Sequence, residues 1–163
     1  MTLHERLHAE LIDAMRAKDA LRRDVLRMAE ASIYAVEKRD RRELSEDEVI
    51  GILTREVKTR RESIQAFRAG GREDLVAKEE AEIAILAVFL PRQLTDDEVR
   101  SLVDETIAET GATSVKDLGR VMGRLSPKTR GRADGKRTSE LVSQALAARE
   151  LEAHDAVATH GGG

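Results

Sequence analysis

The sequence predicts an all-α protein: an N-terminal lobe built as a long-helix hairpin, followed by a small C-terminal three-helix lobe. Three observations carry this. Apolar residues recur at helical spacing along nearly the whole chain, and no segment alternates apolar and polar residues as a half-buried strand does. Ser45 to Glu48 and Thr95 to Glu98 both place a hydroxyl three residues before a glutamate, with a leucine just ahead, the pattern of a capped helix start. Charged residues make up 36 % of the chain, above the ~25 % of an average domain, as exposed faces of amphipathic helices require.

The elements follow in order. Thr2 and Glu5 form a capping box, and Leu3, Leu7, Leu11 and Met15 recur on one face behind it. A second helix spans about Ala20 to Lys38 with Leu21, Val25, Met28 and Val36 inward, and the polar run Lys38 to Glu43 connects it onward. Ser45 caps a third helix, with Leu44 stapled to Val49. It carries Val49, Ile50, Leu53, Val57, Ile64 and Phe67 as far as Gly70-Gly71. A fourth, about Glu73 to Leu90, buries Leu75, Ile83, Leu86 and Leu90 and ends before Pro91. Pro91 to Leu94 reads as the boundary between lobes. Thr95 then opens a helix carrying Val99, Leu102, Val103 and Ile107 to Gly111. Ser114 and Asp117 open a short helix with Val115, Leu118, Met122 and Leu125 inward, expected to stop at Ser126-Pro127. Lys128 to Gly135 is expected as a basic loop. Asp134 caps a last helix carrying Leu141, Val142, Ala145 and Leu146. The domains so read are 1–91 and 94–148, with a tail over 149–163 that ends in three glycines and is expected to fray.

Composition sets limits on function. The chain has no cysteine, which excludes a disulfide framework, a thiolate metal site and a cysteine nucleophile. Its aromatic residues are Tyr34, Phe67 and Phe89, so the core is aliphatic and base stacking on an aromatic platform is not available. The N-terminus has no apolar leader region, and no apolar run reaches the ~18 residues of a membrane span, so a cytoplasmic protein is expected.

Charge is distributed unevenly. The chain carries a formal net charge of −3, yet Asp117 to Arg137 contains Arg120, Arg124, Lys128, Arg130, Arg132, Lys136 and Arg137 against Asp134 and Asp117 alone. Such a concentration of Lys and Arg is the electrostatic footprint of an anionic partner, most often a phosphate backbone. Gly119 and Gly123 lie one turn apart on the short helix, where they admit either RNA backbone or a close-packed neighbouring helix, and packing is the expected role. Gly131 to Thr138 invites comparison with a phosphate-binding P-loop. The match fails: three residues instead of four separate the glycines, Thr138 is displaced by one, and no strand precedes. The Gly131 and Gly135 amides remain candidates for holding a single phosphate. His4-Glu5-Arg6-Leu7-His8 has the letters of a zinc-binding H-E-x-x-H helix, but Glu5 is taken by the capping box and no third ligand stands out, so no metal is expected. Glu79, Glu80 and Glu82 beside Lys78 are read as a solvated helix face.

Three longer segments resemble a known family. Leu90 to Val99 (LPRQLTDDEV), Lys116 to Lys136 (KDLGRVMGRLSPKTRGRADGK) and Arg60 to Ile83 (RRESIQAFRAGGREDLVAKEEAEI) are similar to the YqeY family, over roughly Leu3 to Ala148. Leu118 stands where the family often has Met, and the tail runs beyond the family's usual end. The resemblance implies an all-helical two-lobe fold. It also implies kinship of Leu94 to Ala148 with the tail domain of the B subunit of the glutamyl/aspartyl-tRNA amidotransferase, which is thought to hold tRNA while other parts carry the chemistry.

The expected function is therefore a tRNA- or structured-RNA-binding accessory protein without a catalytic site of its own. Its RNA-binding residues are Arg120, Arg124, Lys128, Arg130, Gly131, Arg132, Gly135, Lys136 and Arg137. Recognition would be of RNA shape through phosphate and 2′-hydroxyl groups. No cofactor, no membrane and no DNA are expected, and aminoacyl-tRNA synthetase or amidotransferase components are the expected protein partners. The alternatives are a carbon–nitrogen ligase using glutamine as amido-N-donor, which rests on the kinship alone, and a helical protein-interaction module.

Overall fold

The computed structural model describes residues 1–160. Among them the chain forms α1 (Leu3–Arg16), α2 (Ala20–Asp40), α3 (Glu46–Ala69), α4 (Glu73–Ala87), α5 (Asp96–Thr110), a single 3₁₀ turn (Val115–Asp117), α6 (Leu118–Thr129) and α7 (Gly135–His160), with no strand. The protein is all-α. It divides into two compact units, Met1–Pro91 and a second beginning at Arg92. The three terminal glycines of the tail lie outside the described residues, and α7 itself continues past Arg149 to His160.

Capping sets most helix starts. Thr2 accepts from the Glu5 amide at 3.1 Å while Glu5 Oε2 accepts from the Thr2 amide at 2.7 Å. Ser45 and Glu48 exchange the same two bonds. At α5 only half of the box forms: Thr95 caps the Glu98 amide, but the Glu98 carboxylate turns to a two-pronged pair with Arg92 at 3.0 and 2.7 Å. That guanidinium holds Glu98 at about 2, far below its usual pKa of 4.5. Glu48, which takes Arg42 in addition to the Ser45 amide, is likewise held at about 2.

The first unit packs α1 to α4 around Leu7, Leu26, Ile33, Leu53 and Leu86, all fully buried. Several inward assignments on α1 and α2 change. Met15, Leu21 and Met28 are exposed, and Ala14, Leu26 and Ala29 are buried instead. A face centred on Leu3, Leu7 and Leu11 admits either residue 14 or 15. The packed face takes the smaller Ala14 and Ala29 into the core, and the bulkier Met15 and Met28 beside them are turned out. Phe89, beyond the end of α4, enters the same core, and Arg6 stands 5.7 Å from its ring centroid.

The second unit packs α5, α6 and α7 around Val103, Ile107, Val121, Leu125, Val142 and Leu146. Val115, expected inward, is 40 % exposed, and Val121 takes the central place on α6. Pro127 does not end α6. The ring removes one backbone donor, yet the helix runs two residues further because Leu125 and Thr129 are buried and the Arg130 amide reaches Ser126 O at 2.9 Å. The connection to α7 is thus shorter than the expected loop, with Lys128 and Thr129 still helical. Asp134 caps α7, accepting from the Arg137 amide at 3.1 Å.

Candidate nucleic-acid interface

The turn after α6 is pinned from below. Gly131 has φ +73°, a conformation only glycine adopts without strain, and it is buried. Its carbonyl accepts from Gln93 Nε2 at 2.8 Å, the Leu94 amide donates to Arg132 O at 2.7 Å, and Arg132 Nε donates to Arg92 O at 3.2 Å. Residues 92–94, read as part of the boundary, are therefore the floor of this turn. The Gly131 backbone faces protein, whereas Gly135, the first residue of α7, is exposed.

The seven basic residues differ in what they meet. Arg120 pairs with Asp117 at 3.2 Å, Lys128 with Glu109 at 3.3 Å and Arg137 with Asp96 at 3.1 Å, while Arg124 stands 4.0 Å from Glu109. Arg130 and Lys136 are exposed and carry no ion pair among the described residues. Counting charge along the chain missed this arrangement, because the acidic α5 folds beside the basic segment and neutralises part of it across space.

Gly119 and Gly123 are on the exposed side of α6. Apart from the local backbone of α6 itself, no atom among the described residues lies within 4 Å of where a Cβ would stand on either, so no neighbouring helix packs there and the expected packing role is overturned. What they leave is bare helix backbone, with Arg120 and Arg124 each one residue further along the same outer face. The arrangement admits a ligand close to the α6 backbone, with guanidinium groups alongside.

The first unit holds the remaining candidates. His8 Nδ1 lies 2.7 Å from Glu30 Oε1 and His4 Nδ1 3.7 Å from Glu37 Oε1, so the two histidines are spoken for by separate carboxylates of α2. They line a concavity of about 630 Å³ together with Glu5, Glu37 and Glu46. Those carboxylates accept from the Thr2, Leu44 and Leu3 amides, respectively, and so serve the backbone. Among the described residues no group of three His, Asp or Glu is arranged to hold a metal ion.

Glu82 is not on a solvated face. It meets Arg60, which is 5 % exposed, at 3.0 Å, and Arg60 Nη1 also donates to the Glu56 carbonyl and carboxylate, each at 3.0 Å. Nothing in the charge pattern of the sequence singled out this buried cluster, although the Glu56–Arg60 spacing of four residues was a usable signal.

A family model described as Yqey-like protein matches residues 4–146. The chain is similar to altered inheritance of mitochondria protein 41, mitochondrial, of Pyrenophora tritici-repentis. Identity is 30 % over 147 residues, covering 88 % of this chain and 81 % of that protein. It is also similar to the E subunit of the glutamyl-tRNA(Gln) amidotransferase of Aeropyrum pernix, at 42 % identity over 59 residues, which cover 34 % of this chain and 9 % of that protein.

Proposed function

The chain belongs to the Yqey-like protein family, and from that premise we propose that it holds structured RNA, tRNA first among them, against α6 and the turn that follows, with no catalytic site of its own. The observation that carries the reading is the open backbone at Gly119 and Gly123 beside Arg120 and Arg124, with the exposed Arg130 and Lys136 just beyond. A phosphate backbone needs close approach and several cations, and both are supplied there. Unit two contains no aromatic residue, so contact through phosphates and 2′-hydroxyls fits better than base stacking. The relative named for glutamyl-tRNA(Gln) points to the same class of ligand.

Amidotransferase components are the protein partners this reading favours. Ligase activity in this chain is not part of it, since the similarity spans 9 % of the amidotransferase polypeptide. A cytoplasmic location belongs to the proposal as well. No helix among the described residues is long and apolar enough to cross a membrane. A tagged full-length chain found in mitochondria, the compartment in the fungal relative's name, would correct it.

The test is recovery of RNA from the native full-length protein followed by sequencing. Enrichment of tRNA that falls steeply with salt is the expected result. A protein partner retained after RNase, with no RNA above background, would move the interaction-module reading to first place.

A further inference from the structure

The anions that face the basic segment are held in different ways. Asp117, beside Arg120, is fixed by the amides of Thr113 at 2.9 Å and Ser114 at 3.3 Å, bonds that keep its carboxyl below the usual range. Arg137 is shared between Asp96 at 3.1 Å and Glu140 at 3.4 Å. Glu109 differs from these. Both of its oxygens lie 3.3 Å from Lys128 Nζ, and Arg124 Nη2 stands 4.0 Å from Oε2. No backbone amide among the described residues binds it. It sits in the last turn of α5, where the exposed carbonyls disfavour an anion and no basic residue of that turn offsets them. Among the described residues, the two cations of α6 are what holds Glu109 in place, and one anionic group met by a Lys and an Arg is how a phosphodiester is gripped.

We propose that Arg124 and Lys128 form an exchangeable anion site, that the Glu109 carboxylate occupies it in the free protein, and that an RNA phosphodiester binds there by displacing Glu109. This rests on the RNA-holding reading and adds an internal competitor to it. Exposed pairs of this kind contribute little to stability, so the exchange leaves the fold intact. A ligand with a single phosphate gains little by replacing one carboxylate with another anion. A polyanion also reaches Arg120, Arg130 and Lys136 in the same event, so Glu109 favours long phosphate backbones over small anions.

The experiment measures binding of an unfractionated tRNA pool to the full-length chain across a salt series. The variants are Glu109→Gln, Glu105→Gln, Arg124→Ala/Lys128→Ala, and the last pair combined with Glu109→Gln, each checked for unchanged circular dichroism. Glu109→Gln should bind about two- to five-fold tighter, as expected for release of an exposed pair. The gain should vanish in the Arg124→Ala/Lys128→Ala background, and Glu105→Gln, which removes the same charge one turn away, should do much less. Equal gains from Glu105→Gln and Glu109→Gln, or a gain that persists without the two cations, would reduce the effect to net charge and overturn the exchange. If Glu109→Gln binds like the parent while Arg124→Ala/Lys128→Ala binds less, the exchange fails and the RNA reading stands. No tRNA binding by any form would overturn both.

Discussion

Replacing Arg60 by Ala should destabilise the first unit strongly. The guanidinium is almost fully enclosed and makes three bonds of 3.0 Å to Glu82 and Glu56. Removing it leaves two carboxylates facing each other at 22 % and 16 % side-chain exposure. Breaking a buried pair from one side costs ~3–5 kcal/mol. Because both glutamates keep some contact with water, the lower end, about 3 kcal/mol, applies. With a urea dependence of ~1–3 kcal/mol per molar for a small unit, the midpoint should fall by roughly 1–3 M. The assay is urea unfolding followed by circular dichroism. Arg60→Met combined with Glu82→Met and Glu56→Gln should recover most of the loss. No buried charge is then stranded, and the new amide oxygen still accepts from Ser32, whose hydroxyl in the parent donates to Glu56 at 2.8 Å. A midpoint for Arg60→Ala within about 0.3 M of the parent would refute the reasoning.

Other outcomes follow from the caps, the glycines and the division of the chain. Glu48 and Glu98 have folded-state pKa values depressed to about 2, so their contribution is complete above the ordinary 4.5 and is lost as pH falls towards 2. Helix content measured down that range should decline, and Arg92→Ala should move the α5 share of the decline upward; an acid profile unchanged by Arg92→Ala would count against the pairing. Gly123→Ala has open space for its methyl group and should stabilise α6 by ~0.5–1 kcal/mol while weakening tRNA binding. Gly51→Ala on α3, equally open, should stabilise and leave tRNA binding alone, and the same binding by both variants would remove the functional meaning of the exposed glycine. A fragment from Arg92 to Arg149 carries its own core and should melt cooperatively, though with small margin at about 60 residues. A fragment with no helical signal would show that the second unit does not fold alone.

Helix positions were legible because their signals are local. Thr2, Ser45, Thr95 and Asp134 each bond an amide within three residues, and such bonds depend on nothing remote. Which residues turn inward was less legible. Leu3, Leu7 and Leu11 define a face but do not choose between Ala14 and Met15, and the choice is made by packing into the core of the first unit, which takes Ala14. Pro127 was misread for a similar reason, since the burial of Leu125 and Thr129 on either side outweighs the local loss of a donor. The candidate site was visible as a cluster of cations, whereas its pairing was not. Lys128 and Glu109 are 19 residues apart, and Arg137 and Asp96 are 41 apart. Only the packing of α5 against α6 and α7 brings those charges together.

The central claim is most directly tested by tRNA binding to the full-length chain with Arg120, Arg124, Arg130 and Lys136 replaced together by Ala, measured over a salt series beside the parent. Each cation withdrawn from a phosphate should take roughly 0.7–0.9 off the log–log salt slope, so the four together should flatten it by about three and weaken binding at low salt by well over ten-fold. Circular dichroism and melting should stay close to those of the parent, because all four side chains are exposed. Parent-like affinity and slope in a folded quadruple variant would contradict the account.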